Sequence, residues 1–93
     1  MQNWRNKKIN ELANVILSIK NKATLLNFLR DIATIEEIES LAGRWEAAKL
    51  IHKGVSYRDI AQKTGLSTTT ITRIAYWIKH GEGGYREMLK NLI

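Results

Sequence analysis

The sequence predicts an all-α protein of six helices that contains a helix-turn-helix. Its 93 residues include no proline, the residue that most strongly interrupts helices. Five of its six glycines lie at the joints between segments whose apolar residues recur at helical spacing. A chain of this length is expected to form one domain over residues 1–93, with residues 1–5 disordered.

The first two predicted helices are apolar on more than one face. In the first helix, Val15 and Leu17 lie off a stripe formed by Ile9, Leu12, Ala13, Ile16 and Ile19. The second helix has the same excess, with Leu25, Leu26, Phe28, Leu29 and Ile32. Because helices that are apolar nearly all round need to be covered, we expect the N-terminal helices of two chains to wrap together as a dimer.

The longest helix is predicted over residues 35–53. Thr34 and Glu37 have the spacing of a capping box at its start, and Gly54 is placed to end it. Its predicted buried stripe consists of Ile35, Ile38, Leu41, Ala42, Trp45 and Ala48.

Residues 57–76 have the pattern of a helix-turn-helix. Ala61 is small where the two helices touch, and Gly65 tolerates the positive φ of the tight turn. Ser56 and Ser67 are good N-caps for the two helices. The apolar seam between them is predicted to contain Ile60, Leu66, Ile71 and Ile74. Agreement at so many fixed offsets indicates duplex DNA as the partner.

Glycines mark the predicted helix boundaries in the C-terminal part of the chain. Gly81 is expected to end the recognition helix, and residues 83–84 are expected to form a turn. A last amphipathic helix is predicted from Tyr85 to Ile93, with Tyr85, Leu89 and Leu92 on its apolar face.

Positive charge is concentrated on the predicted DNA-reading segment. The whole chain has 15 Lys and Arg against nine Asp and Glu, a net charge of +6. Between residues 57 and 80, Asp59 is the only acid beside four bases, Arg58, Lys63, Arg73 and Lys79. This balance favours a polyanionic partner, because phosphate neutralisation supplies most non-specific affinity for nucleic acids.

Several classes of function are disfavoured by the composition. The chain has no cysteine, and His52 and His80 lie far apart in sequence, so neither a metal nor a cofactor is expected. No catalytic constellation is present, and we expect the protein not to be an enzyme. Without a signal peptide or a membrane span, a cytoplasmic, nucleoid-associated bacterial protein is expected.

Two parts of the sequence resemble a known family. Residues 57–61 and the Thr-Ile-Thr-Arg run at 70–73 resemble the DNA reader of the Trp repressor superfamily. Residues 42–49 and the Gly-Gly-Tyr-Arg run at 83–86 resemble its YerC/YecD-type branch more specifically. The resemblance covers residues 6–93 and implies a six-helix Trp-repressor-like fold, assembled as an intertwined homodimer on a roughly palindromic operator.

The resemblance also bears on a corepressor. Trp repressors hold tryptophan between two arginines, which correspond by position to Arg44 and Arg73. The family has a glycine and small polar residues after the second arginine, whereas this chain has Ile74, Ala75, Tyr76 and Trp77. Their bulk is expected to fill the indole space. We therefore predict a vestigial pocket of Arg44, Arg73 and Trp77 that does not respond to tryptophan, and we expect no other effector.

The predicted DNA contacts lie on both motif helices. They are Tyr57, Arg58, Lys63, Ser67, Thr68, Thr69, Thr70, Thr72 and Arg73. The threonines offer hydroxyls and methyls to base edges or phosphates, and Arg58 suits guanine or phosphate. Alternatively, the threonines and Arg58 are ordinary surface residues, and Arg73 lines the pocket or pairs with an acid. Trp45 is expected to be a core residue, and Trp77 is expected to pack against the central helix.

The sequence therefore predicts a sequence-specific transcriptional regulator that binds double-stranded DNA as a homodimer. The alternative is a helix-turn-helix assembly module that docks on a protein partner or binds DNA non-specifically. Apolar N-terminal helices fit either, because a dimer and a docking site need the same exposed apolar surface.

Overall fold

A computed structural model describes residues 4–92, which form six α-helices and no strand. The helices are α1 Lys7–Ser18, α2 Lys22–Ile32, α3 Ile35–His52, α4 Tyr57–Thr64, α5 Thr68–His80 and α6 Gly84–Lys90. The all-α prediction is confirmed. Residues 1–3, part of the segment expected to be disordered, lie outside the described residues. Just before α1, the Arg5 guanidinium lies 5.0 Å from the centre of the Trp4 ring.

The described residues divide into two compact units, one up to Ile38 and one from Glu39. The predicted single domain remains a prediction. The first unit contains α1 and α2, and neither helix has a buried residue within the chain. Leu17 of α1 has 81% of its surface exposed. The prediction that these helices are apolar beyond what one chain covers is confirmed.

Side-chain caps fix where the helices of the first unit begin. The Oδ1 atom of Asn6 accepts a hydrogen bond of 2.9 Å from the Ile9 amide. Asn21 caps α2 in the same way, through the Thr24 amide. At the start of α3, the Thr34 amide donates to Glu37 Oε1 (2.8 Å) and the Glu37 amide donates to Thr34 Oγ1 (3.1 Å). This exchange confirms the predicted capping box.

The predicted buried stripe of α3 is wrong for its first half. Ile35 and Ala42 are exposed, and Leu41 has 60% of its surface exposed. The buried residues of α3 are instead Ala47, Ala48 and Leu50, near its C-terminal end. They belong to the core cluster with α4 and α5, which covers only that end of the helix.

The core of the second unit lies between α3, α4 and α5. Ile60, Ile71 and Ile74 are fully buried there with the small residues Ala47 and Ala48. Ala61 and Leu66 pack against this cluster, as does the half-buried Trp45, which confirms the predicted motif seam and the packing of that tryptophan. Small residues on α3 let the branched side chains of the motif approach its backbone closely.

Gly54 orients the chain between α3 and the motif. Its φ is +84°, and its amide donates to the Ile51 carbonyl oxygen while the Val55 amide donates to that of Leu50. These two bonds form a Schellman motif, which satisfies carbonyl groups left open at the end of the helix.

The last helix is shorter than predicted. It begins at Gly84 and ends at Lys90, rather than continuing to Ile93, which lies outside the described residues. Beyond Lys90, the Asn91 and Leu92 amides donate to carbonyl oxygens only three residues back. These 3₁₀-type hydrogen bonds end the α-helix. Leu92 is therefore exposed, while Leu89 is 97% buried and anchors α6.

Candidate nucleic-acid interface

Helices α4 and α5 form the predicted helix-turn-helix. The turn begins at Gly65, which has a φ of +76° and donates its amide hydrogen to the Ala61 carbonyl oxygen. This left-handed conformation is open to glycine without the steric cost that a Cβ would bring. The Oγ atom of Ser56 accepts from the Asp59 amide at 3.2 Å and caps α4. The motif is thus held by its cap, its turn and the buried isoleucines.

Ser67 determines how α5 begins. Its Oγ atom accepts a hydrogen bond of 3.1 Å from the Thr70 amide, so it is the predicted N-cap. The same hydroxyl donates to Thr70 Oγ1 at 3.0 Å. Thr70 is half-buried, and its hydroxyl and that of Ser67 already bond to each other at the N-terminus of α5. Both hydroxyls therefore keep only part of their hydrogen-bonding capacity for another molecule.

The other threonines of α5 differ in what their hydroxyls already bind. Thr72 is exposed but donates its hydroxyl hydrogen to the Thr68 carbonyl oxygen at 2.9 Å. Thr68 and Thr69 are exposed, and neither side chain forms a hydrogen bond within residues 4–92. Their hydroxyls retain both donor and acceptor capacity at the start of the helix.

On α4, Tyr57 and Arg58 are exposed on the first turn, beside the Ser56 cap. Lys63 is exposed on the last turn and lies near Glu46 of α3. A hydrogen bond from Lys49, whose Nζ is 2.9 Å from Glu46 Oε1, lowers the pKa of Glu46, and the charges of Lys53 and Lys63 lower it further. Lys63 therefore lies within the influence of a carboxylate of α3, whereas Arg58 forms no ion pair within residues 4–92.

The second half of α5 contains no residue that the sequence predicted as a DNA contact. The i, i+4 row that begins at Thr68 and Thr72 continues through Tyr76 to His80, all of them exposed. The rings of Tyr76 and His80 have centroids 4.8 Å apart. Extending the helical projection of α5 to its end would have identified this row.

A cleft of about 700 Å³ borders this row. Its walls include Ser56 and Tyr57 from the start of α4 and a set of α5 residues, Thr72, Ala75, Tyr76, Lys79 and His80. Two predicted contacts, Tyr57 and Thr72, thus share one concave surface with a lysine, a histidine and a second tyrosine. Hydroxyl, ammonium and imidazole groups all suit phosphate oxygens.

The residues of the predicted effector pocket are all exposed in the chain. Arg44 lies near Tyr85, and Arg73 has no hydrogen-bonding or ionic partner within residues 4–92. Trp77 has 41% of its surface exposed, so it is not a core residue, and its expected packing against the central helix remains a prediction. The inward side of α5 is formed by Ile71, Ile74 and Ile78, and Trp77 lies beside that stripe.

Tyr85 is the aromatic residue that lies beside Arg44. It packs against the core cluster from α6, and burial raises the pKa of its phenol while the charge of Arg44 acts in the opposite direction. Sequence reasoning had considered only the aromatic residues of α5 for this neighbourhood.

Other kinds of site are not evident among the described residues. No group of three or more His, Cys, Asp or Glu in residues 4–92 is placed to hold a metal ion. In the same range, no helix combines the length and the apolar character needed to cross a membrane.

Comparisons with known proteins identify relatives over nearly the whole chain. The family model described as Trp repressor protein matches residues 7–93. The uncharacterised protein YerC of Bacillus subtilis (strain 168) is 39% identical over 85 residues, which cover 91% of this chain and 82% of that protein.

Two crystal structures are also similar. A TrpR-like protein from Eubacterium eligens ATCC 27750 is 38% identical with a TM-score of 0.89, and the match covers 95% of this chain and 91% of that one. A candidate Trp repressor from Staphylococcus aureus is 34% identical with a TM-score of 0.87, covering 95% and 88% respectively.

Proposed function

The chain belongs to the Trp repressor protein family, a family of DNA-binding regulators and not of enzymes, and from this premise we propose that it is a sequence-specific transcriptional regulator. It binds double-stranded DNA as a homodimer on a roughly palindromic operator, without tryptophan as corepressor. The observation that carries the proposal is the capped start of α5, where hydroxyls without an internal partner project from a rigid helix-turn-helix.

The start of α5 reads the bases. In this motif the N-terminal part of the second helix enters the major groove. Thr68 and Thr69 offer free hydroxyls and methyl groups there, which suit base edges and the thymine methyl. Ser67, Thr70 and Thr72 contribute through the oxygen lone pairs that their internal hydrogen bonds leave open.

Positive and hydroxyl-bearing side chains around α5 hold the DNA backbone. Arg58 is exposed on the first turn of α4 and contacts a base or a phosphate, while Tyr57, Lys63 and Arg73 contact phosphates. The cleft at Lys79 and His80 extends this surface by about 18 Å from Thr68 along the helix. With several phosphates neutralised, affinity falls steeply as salt concentration rises.

Apolar surface left open by one chain supports the homodimer. Apolar side chains are exposed on α1 and α2 of the first unit and on α3 of the second, among them Leu12, Ile16, Leu17, Leu26, Ile32 and Leu41. A second copy of these helices covers such a surface and gives the pair two readers related by a two-fold axis. Two readers about 34 Å apart then meet successive major grooves of the duplex.

Loss of the tryptophan response follows from the residues after Arg73. Ile74 is fully buried in the core, so it takes up space next to the arginine that a glycine would leave open. Arg44, the other predicted pocket arginine, lies next to the phenol of Tyr85. We propose that Arg44, Arg73 and Trp77 form a vestigial pocket. We also propose that α4 and α5 adopt their DNA-binding arrangement without a corepressor.

The experiment that tests this function is affinity selection of fragmented genomic DNA at about physiological salt, followed by sequencing. Enrichment of one short inverted repeat near promoters supports a sequence-specific dimeric regulator. Uniform recovery that disappears as salt rises contradicts it and leaves only electrostatic binding.

The exposed apolar helices also fit the second candidate, an assembly module that docks on a protein partner. Analytical ultracentrifugation separates the two functions. A dimer that dissociates when Leu41 is replaced by Glu supports the palindrome reader, and a monomer at all concentrations favours the assembly module. The matched control is Leu92→Glu, which introduces the same charge at an exposed leucine beyond α6.

A further inference from the structure

A second cleft, of about 480 Å³, lies where α6 meets α5 and the end of α3. Its lining consists of His52, Ile78, Gly83, Arg86, Glu87, Leu89 and Lys90. It shares Ile78 with the wall of the first cleft, but none of its residues is a proposed DNA contact or belongs to the predicted pocket of Arg44, Arg73 and Trp77. Its volume is in the range of clefts that hold small ligands.

The floor of this cleft is apolar and firmly anchored. Ile78 packs against the core cluster, and Leu89 is almost completely buried. Packing against the rest of the protein thus fixes both side chains at the bottom of the cleft. An apolar floor of this kind favours a ligand with a hydrocarbon portion.

The rim carries two cations, Arg86 and Lys90, and one carboxylate, Glu87. Arg86 and Lys90 are four residues apart on α6, so two like charges lie on one helical face. Within residues 4–92, neither of them forms an ion pair, although Glu87 also lines the cleft. His52 adds an imidazole to the rim. An anion between Arg86 and Lys90 relieves their repulsion.

We propose that this cleft binds a small amphipathic carboxylate. Its hydrocarbon tail lies on Ile78 and Leu89, and its carboxylate is held by Arg86 and Lys90. The planar guanidinium of arginine matches the two oxygens of a carboxylate. A nucleic-acid phosphate would satisfy the cations but would leave the apolar floor uncovered, so the combination favours the amphipathic acid.

The test is a titration of the full chain with hexanoate, followed by ¹H–¹⁵N NMR. Saturable shifts are expected at the backbone amides of Ile78, Arg86 and Leu89. Hexan-1-ol, which has the same tail without the charge, is expected to bind about tenfold more weakly. The measurement needs no DNA, so its result tests ligand binding independently of the proposed DNA-binding function.

Variants that remove the charges of Arg86 and Lys90 test whether these side chains hold the carboxylate. Arg86→Gln combined with Lys90→Gln is expected to weaken hexanoate binding about tenfold, while the spectrum reports that the fold is intact. Lys20→Gln with Lys22→Gln removes the same charge elsewhere and is expected to leave the affinity within about twofold. Each single variant is measured as well, in case the double variant does not fold.

Three outcomes overturn the proposal. One is the absence of saturable shifts at the cleft, and another is equal binding of hexanoate and hexan-1-ol. The third is a set of shifts confined to the exposed apolar residues of α1 and α2, which indicates non-specific adsorption.

Discussion

The Gly81 amide donates a hydrogen bond of 2.9 Å to the Trp77 carbonyl oxygen and thereby ends α5. The two residues are so close that a Cβ on residue 81 would lie 2.5 Å from that oxygen. The φ of Gly81 is −84°, so a positive φ is not the reason for glycine at this position. The reason is the close approach of the backbone.

Gly81→Ala is therefore expected to lower the free energy of unfolding by about 1–3 kcal/mol, since either the carbonyl or the chain must move. Urea denaturation followed by circular dichroism measures the change. Gly84→Ala is the matched control, because a Cβ there meets nothing within 4 Å. Equal stability of the Gly81→Ala variant and the wild-type protein would show that the backbone at residue 81 can shift without an energetic cost.

Arg58→Ala is expected to weaken binding to the selected operator by about 1–3 kcal/mol if the guanidinium contacts a base. Arg58→Lys separates the possible roles, because it keeps the charge and loses the planar fork. A gel-shift titration against operator and unrelated DNA measures both variants. Unchanged operator affinity in Arg58→Ala would exclude this residue from the interface.

The threonines of α5 are expected to differ according to their internal hydrogen bonds. Thr68→Val and Thr69→Val each remove an exposed hydroxyl without an internal partner and should weaken operator binding about two- to tenfold. Thr72→Val is expected to cause a smaller loss, because its hydroxyl already donates to the Thr68 carbonyl oxygen and offers only its acceptor capacity to DNA. Fluorescence anisotropy measures the operator affinity of each variant. A larger loss of affinity for Thr72→Val than for Thr68→Val and Thr69→Val would contradict the expected order.

L-Tryptophan is expected not to bind. The buried Ile74 leaves no glycine-sized space after Arg73, and the Arg44 guanidinium has the Tyr85 phenol nearby. Isothermal titration calorimetry should give no saturable heat, and operator affinity should be the same with and without the amino acid. Saturation at one tryptophan per chain would mean that a working corepressor site survives.

Tyr85 should make stability depend on alkaline pH. Burial raises its pKa above the ordinary value of 10.0, so above that pH the unfolded chain releases the phenolic proton before the folded chain does. Its contribution to stability is complete below pH 10.0 and is lost as pH rises through the folded pKa.

The measurement is urea denaturation of the wild-type protein and Tyr85→Phe at pH 9 and above. The variant should lose less stability over this range, because phenylalanine has no proton to release. Tyr76→Phe, at an exposed position, controls for removal of a hydroxyl. Parallel curves for the wild type and Tyr85→Phe would contradict the role of the buried phenol.

The parts of the fold that could be predicted from sequence depend on short-range interactions. Ser67 caps α5 through an amide three residues ahead, and Thr34 and Glu37 exchange bonds over the same distance. Gly65 meets a backbone requirement of its own turn. Such features involve residues that are neighbours in the chain, so their spacing alone predicts the helix boundaries and the motif.

Burial and neighbourhood were decided only by the tertiary structure. The spacing of Leu41 and Ala48 is equally compatible with a buried stripe, yet only Ala48 is covered, because α4 and α5 pack on one end of α3. Trp77 is exposed for the same reason, since the core meets the adjacent side of α5. Tyr85 lies beside Arg44 although 41 positions separate them in the sequence. Helical periodicity shows which residues share a face, but contact depends on which other helix covers that face.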